Sequence, residues 1–362
     1  MSSRRKPHRR RPAPPKQQRR LVRMGHCPPR PEGAAPLITE RYTPPAPREL
    51  PELRARLVRW FASEGPKFYL TMTLVGRHVL PAGVDIEAGV ARYARQEQRR
   101  VTDGDLYWVS APMTDLARRA APQLPTRNLY PHDVPSRSGL MVFEAPLATY
   151  VNDEGREVQI VAVSWGPWDT PAGGTGEDGL HLSFYSHPAP VFPRAAFTSG
   201  TADPAALTFL APLMGAVPPL LPDNEAGWPF GELSHDEPIP EGTTASWALT
   251  VRTAWRLMRQ PQVQETPQRP DRAARRRLAR SGQPAPDIRV IHIRRKENAR
   301  TASPVPTLPR DHDHQWWVRG HWRTYWCGPG HRRPEDRWIA PHLAGPDGKP
   351  VRGAERVRVW DR

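Results

Sequence analysis

The chain has 362 residues, 38% of them apolar, with 46 prolines, two cysteines and a formal net charge of +16. That length and apolar share are enough for a sizeable core in one large or two ordinary domains, and the high proline content predicts long irregular segments beside it. No apolar run reaches the roughly 20 residues of a membrane span, and two distant thiols, Cys27 and Cys327, give neither a disulfide framework nor a paired metal motif.

The charge is unevenly placed. Residues 1–30 carry eleven Arg and Lys and no acid, which leaves 42 basic and 37 acidic side chains in the other 332 residues. Residues 1–47 are basic, proline-rich and without apolar period, and are expected to be a disordered tail, because such a segment cannot bury enough apolar area to offset its ordering entropy. Met24 is a second possible start that would leave only Arg30 of those charges. No hydrophobic region follows the charged N-terminus, so it does not read as a secretory signal, and a reducing cytoplasm is the expected setting.

Order is expected from about residue 48. Leu50, Leu53, Leu57, Val58 and Phe61 recur at helical spacing with Arg54, Arg56 and Arg59 outside, and Gly65-Pro66 ends that helix. Phe68 to Val75 reads as a strand, Asp85 to Gln98 as a helix, Leu106 to Val109 as a short strand and Pro112 to Ala120 as a short helix. Strands follow at Gly139–Phe143, at Val158–Trp165 and, with alternation, at Leu180–Tyr185; the second is almost wholly apolar and is expected to be central and buried on both faces. The glycine-rich stretch Gly173-Gly174-Thr175-Gly176 lacks the Lys and Ser/Thr of a phosphate-binding loop and reads as a hairpin tip. A short helix is expected at Ala205–Ala211, and residues 216–242, dense in Pro, Gly and acids, read as loop. Thr243–Arg259 is a long helix capped by Thr243 or Thr244 and stopped by Pro261. Asp271–Arg280 is a second, very basic helix, and Ile288–Ile293 an alternating strand.

These elements predict an α+β fold: a mixed or antiparallel sheet core with flanking helices over residues 48–260, a basic helix–strand connection and linker over 261–311, and a small β-rich module over 312–362.

Five of the thirteen tryptophans, all in the C-terminal module, fall between residues 316 and 338. Read as one strand, alternation puts Trp317, Arg319, His321 and Arg323 on one face and Val318, Gly320 and Trp322 on the other. Basic groups beside aromatic platforms are the physics of nucleic-acid binding, charge for phosphate and π-faces for bases. The competing reading is a small tryptophan core covered by arginine stems.

The run Trp316-Trp317-Val318-Arg319-Gly320-His321-Trp322-Arg323, an arginine-rich turn, then Trp338-Ile339-Ala340-Pro341-His342 with Gly345-Pro346, resembles the C-terminal segment of uncharacterised proteins from actinobacteria and their phages and plasmids. Leu140–Pro146, preceded by Pro135-Ser136, and Leu257–Pro261, followed by the basic helix, are similar to the same group, so the resemblance spans roughly residues 50–350. It implies a setting, mobile elements or their hosts, and no particular fold or activity. Richness in Pro and Arg also suits a GC-rich genome, which weakens any argument from arginine number alone.

Residues 269–300 oppose eleven basic side chains to three acids. Arg272, Arg275, Arg276 and Arg280 lie near one helical face and can track a phosphate backbone; the alternative is a solvated helix packed through Ala274 and Leu278. His312, His314, His321, Cys327, His331 and His342 are clustered in sequence, but only Cys327 and His331 have half-site spacing and no second pair matches it, so no metal or other cofactor is expected. Asp115, Asp133, Glu144, Asp169 and Asp178 carry no motif, although Glu144 closes a strand, where catalytic acids are often placed.

The reading these residues support is a nucleic-acid-associated accessory protein of a mobile element or its host. DNA or RNA would contact Trp317, Arg319, Trp322 and Arg323 together with Arg272, Arg275, Arg276 and Arg280. Two alternatives remain open: a nuclease or toxin-like hydrolase using His321 as general acid or base with Arg319 or Arg323 stabilising developing charge, and a structural protein whose Trp-rich module docks on another protein.

Overall fold

The structure, a computed structural model, describes residues 42–66, 69–70, 85–151, 157–168, 176–187, 218–232, 239–294, 313–346 and 348–351. The expected helix at 205–211, the hairpin tip at 173–175 and residues 1–41 of the expected tail lie outside these residues. So does the strand expected at 68–75, apart from Tyr69 and Leu70, which are helical.

Order reaches into the expected tail, at Tyr42. Tyr42 donates its hydroxyl to the Phe143 carbonyl at 3.0 Å and its backbone N–H to Gln159 Oε1 at 3.2 Å. Helix α1 (Leu50–Phe61) buries Leu50, Leu53, Leu57, Val58 and Phe61 as its spacing dictates. Arg54, expected outside, is buried: its guanidinium donates to the carbonyls of Gly104 at 3.2 Å and Pro284 at 3.1 Å. Helix α2 (Ile86–Asp103) is capped by the Asp85 carboxylate, which accepts from Ala88 N–H at 3.0 Å. It runs past the expected end at residue 98 and stops at Gly104, where a Cβ would meet the Arg100 carbonyl at 2.7 Å and Gly139 Cα at 3.0 Å.

Strand β1 (Asp105–Val109) leads through α3 (Ala111–Ala120) to β2 (Gly139–Phe143), its parallel neighbour. The chain then continues through β3 (Ala148–Val151), β4 (Glu157–Trp168), β5 (Gly176–Ser186) and β6 (Leu221–Pro229), all antiparallel to their neighbours. After α4 (Thr244–Met258) come β7 (Val263–Gln268), α5 (Arg272–Arg280) and β8 (Ile288–Ile293). Among the described residues eight strands form one mixed sheet in the order β6-β5-β4-β2-β1-β8-β7, with β3 beside β4. Flanking helices complete the expected α+β fold. Residues 261–294, expected as a connection, place β8 parallel to β1 inside the sheet and β7 at its edge.

Each face carries its own core. One face packs Tyr107, Met141, Val163, Trp165, Leu182 and Phe184 under α3 and α4; the other packs Leu106, Leu140, Val142, Ala162 and Ile288 under α1 and α2. The close fit is visible at Gly139, where a Cβ would stand 2.2 Å from the Trp165 ring. No helix among the described residues is long and apolar enough to cross a membrane.

The C-terminal residues form two small antiparallel pairs: β9 (Trp316–Val318) with β12 (His342–Ala344), and β10 (His321–Cys327) with β11 (Arg333–Ile339). The single strand expected over 317–323 is therefore broken at Arg319-Gly320. A Cβ at Gly320 would lie 2.5 Å from the Trp338 ring, so the chain passes over that ring only as glycine. The hairpin docks on the α3/α4 side. Trp338 is buried in that core, and Trp322 Nε1 donates to the Ala120 carbonyl at 3.0 Å. Arg127 grips Asp336 with Nε at 2.7 Å and Nη2 at 2.9 Å. Thr324 also donates to Asp336 at 2.7 Å, and the Gln260 side-chain amide donates to the Asp336 carbonyl at 3.2 Å.

Removing one partner of a buried pair leaves the other charge without compensation. Arg127→Ala is expected to cost about 3 kcal/mol, the lower end for such pairs because Arg127 is partly exposed. Hydrogen exchange should show protection lost over 321–339 before the sheet is affected. Equal loss in β4 would mean that the pair does not act locally.

Candidate functional site

Two places collect polar groups beyond what the fold needs. The first is the outer face of the β10–β11 hairpin. Pairing sets Trp322 opposite Trp338 and Thr324 opposite Asp336 on the inner face, and Arg323 opposite Arg337 and Tyr325 opposite Glu335 on the outer. Both outer arginines lie over the Tyr325 ring, Arg323 at 5.1 Å and Arg337 at 5.3 Å, and Arg337 also pairs with Glu335 at 3.1 Å. Arg319 and Arg333 are exposed nearby in the chain. Trp317, on β9, is 66% exposed, and Trp326, opposite Pro334 on the same side of β10 as Trp322, is 58% exposed, large apolar faces given to solvent.

The residues expected at this surface divide between its two sides. Arg319, Arg323 and Trp317 are outside, whereas Trp322 turns inward, edge-on to Trp338 at 5.4 Å. His321 is half-exposed, and its Nδ1 is 3.0 Å from the Arg319 carbonyl. His331 and His342 likewise bond nearby main-chain carbonyls. Among the described residues no group of three or more His, Cys, Asp or Glu is placed to hold a metal. Arg272, Arg275, Arg276 and Arg280 are exposed on α5, which packs inward through Ala274 and Leu278 and is tied to α1 by Arg277–Glu52 at 2.6 Å. Helix α1 covers the opposite sheet face from the hairpin, so the two basic regions do not form one surface. Glu144, the strand-end acid, accepts from the Ala111 N–H at 2.7 Å and so caps α3.

The second place was not anticipated. Tyr93, Glu97 and Arg100, spaced i, i+4 and i+7, face the sheet from α2. Beneath them lie Ser164 of β4, His181, Ser183 and Tyr185 of β5, and Glu225 of β6, which pairs in register with Ser183. Glu97 is fully buried; it pairs with Arg100 and accepts from Tyr185 at 2.6 Å, Ser183 at 2.8 Å and Ser164 at 2.9 Å. His181 Nε2 lies 3.1 Å from Ser183 Oγ, 3.8 Å from Glu225 Oε1 and 4.0 Å from Glu97 Oε1.

These contacts push neighbouring groups apart in pKa. Burial alone would raise Glu97, but the charge of Arg100, that of His181 whenever it is protonated, and the hydroxyl donors outweigh it and lower this carboxylate. Burial, then the charge of Arg100, pushes the His181 imidazole down to about 4 against the pull of Glu97. Burial, then the charge of Glu97, pushes Glu225 up to about 7. A carboxyl titrating near neutrality beside a neutral imidazole is a general acid–base arrangement, with Glu97 and Arg100 as the charged pair behind it. The sequence holds one faint sign of it: Ser164, His181 and Ser183 are polar residues set in otherwise apolar strands.

The two shifted groups oppose each other in stability. Glu225 keeps its proton in the folded chain up to about 7 against an ordinary 4.5, so its contribution is present at low pH and is lost as pH rises between those values. His181 gives up its proton at about 4 against an ordinary 6.5, so its contribution grows with pH over that window. Where the windows overlap the slopes cancel. Glu225→Gln should expose the His181 slope, a gain of roughly 2–3 kcal/mol over the overlap at about 1.4 kcal/mol per unit. Urea unfolding across pH measures this, and parallel curves for wild type and variant would reject the assignment.

Compared with known proteins, the chain matches no family model, no curated protein and no solved structure, so its function has to be read from geometry.

Proposed function

We propose that the chain is a cytoplasmic nucleic-acid-associated accessory protein of a mobile element or its host, binding through the outer face of the β10–β11 hairpin. The observation that carries this reading is Tyr325 lying under both Arg323 and Arg337, two cations oriented on one exposed face. The guanidinium groups supply phosphate contacts already oriented by the ring beneath them. A single strand that wraps the hairpin edge would find stacking faces for unpaired bases on the exposed indoles of Trp317 on β9 and Trp326 on the other side of β10. The arginines of α5 lie on the other side of the sheet and contribute long-range attraction rather than contacts to the same strand.

The test is anisotropy of labelled single- and double-stranded DNA and RNA with the full chain across a salt series. Arg323→Ala/Arg337→Ala is expected to weaken binding and to flatten the slope of log K against log salt by roughly 1.4–1.8, from about 0.7–0.9 per lost phosphate contact. An unchanged slope rejects the hairpin as the contact surface.

Glu225 and His181 favour a second reading, catalysis in the core. If the probe is cut, Glu225→Gln should abolish cutting and His321→Ala should spare it. The reverse pattern would return the chemistry to the hairpin.

A further inference from the structure

The two C-terminal strand pairs are one ribbon with a break in it. In β10–β11 His321 stands opposite Ile339, and in β9–β12 Val318 stands opposite His342, so two residues intervene on each strand and the register is unchanged across the break. Alternation along the strands therefore carries through. Trp317 and its partner Leu343 fall in phase with Arg323 and its partner Arg337, on the outer side. Their exposure agrees with that placement, since both are large apolar side chains given to solvent. Val351 is a third; it pairs with Gln315, two residues before Trp317, and so lies on the same side.

The outer side thus has two ends of different chemistry. At one end Arg323 and Arg337 lie over Tyr325. At the other, about 20 Å away along an extended chain, Trp317, Leu343 and Val351 form an apolar platform. Apolar groups exposed together mark a contact surface, whereas scattered ones do not. The charge around the platform restricts the partner. Residues 314–323 and 338–346 contain no acid, and Arg319, His342 and Lys349 are exposed. A second copy of the chain seated here would bring like charges together. A partner with negative charge along its backbone and flat apolar faces beside it meets both ends, and unpaired nucleotides have that chemistry. A duplex offers the charge but keeps its base faces stacked inside.

We propose that the outer side selects single-stranded over double-stranded nucleic acid, seating an unpaired base on Trp317 and Leu343 while phosphates farther along the same strand lie over Arg323 and Arg337. This rests on the reading of the hairpin as the nucleic-acid surface and adds what that surface discriminates. The arginine pair takes either form; Trp317 takes only the form with free base faces. Every base has such a face, so the preference is for strandedness and not for sequence.

The experiment compares binding of the full chain to a labelled oligodeoxythymidine strand and to the duplex that strand forms with oligodeoxyadenosine. The proteins are wild type, Trp317→Ala, Trp317→Phe and Arg323→Ala/Arg337→Ala. Trp317 stands in solvent, so its variants are expected to fold as wild type does. Wild type is expected to prefer the single strand. Trp317→Ala should weaken single-strand binding about tenfold, the loss of one stacked base, and leave duplex binding unchanged. Trp317→Phe keeps a ring and should restore most of the loss. Equal weakening on both probes, or none on either, overturns the proposal. If the arginine variant binds both probes as wild type does, the hairpin reading fails and this inference with it. If the arginines matter and Trp317 does not, the inference alone fails. Light scattering of the free chain supplies the last arm: a dimer that Trp317→Ala splits would give the platform to a second copy and overturn the assignment.

Discussion

Strand β4 must be covered on both faces, and the rest of the architecture answers that requirement. It lies between β2 and β5 and is buried from residue 160 to 166 without interruption. Its alternate residues face different cores: Val163 and Trp165 point toward α3 and α4, and Ala162 and Ser164 toward α1 and α2. A sheet with two buried faces needs two helical layers. The hairpin then completes the α3/α4 side by adding Trp338 to its core. On the α2 side the cover changes character along the sheet. Beneath Val101 and Ala94 it is apolar; beneath Glu97 and Arg100 it is a network of hydroxyls, carboxylates and an imidazole.

What could be read from the sequence follows from this layering. Central strands such as β2 and β4 carry unbroken apolar runs, and amphipathic helices such as α1 and α4 carry a clear stripe, so period and composition find them. Strands β6 and β7 escaped because, among the described residues, they are the two ends of the sheet. An edge strand is free of half its ladder, so it tolerates Pro222, Pro229 and Pro267 and the acids Asp223 and Glu265, residues that read as loop. Burial within β6 does alternate, with Asn224, Ala226 and Trp228 inside, but two of those three are too small or too polar to announce it. The hairpin was half legible: its tryptophans and arginines mark an unusual surface, while the break at Gly320 depends on the Trp338 ring across the turn. The polar cluster was least legible, because Glu97 and Arg100 look like any solvated helical pair until the sheet is placed under them.

Three buried charges among the described residues show different solutions. Glu97 and Arg100 neutralise each other and hydroxyls complete the carboxylate, while the two charges still act on His181 and Glu225. Arg127 and Asp336 form a tie between two parts of the chain far apart in sequence, where directional, bidentate geometry fixes the hairpin against the core. Arg252 has neither solution: its Nη2 donates to the Asn128 carbonyl and its guanidinium lies over the Trp228 ring. Replacing buried ion pairs by apolar groups is often neutral or favourable, so charge is not retained in an interior for stability alone.

The same reasoning separates the roles of arginine in a chain that has many. Number carries little information where composition follows the genome, and position in sequence carries only slightly more. What each guanidinium faces decides its role. Arg54 faces two carbonyls and joins α1 to the junction of α2 and β1 and to the approach to β8. Arg277 faces Glu52 in water and contributes little, as exposed pairs do. Arg323 and Arg337 face a ring that orients them without neutralising them, which leaves their charge available to a partner. Arg337 shares part of its charge with Glu335, so Arg323 is the more available of the two. A basic surface built for contact differs from one that is merely basic in this respect: its cations are positioned by groups that cannot cancel them, and among the described arginines that condition is met most fully on the outer face of the hairpin.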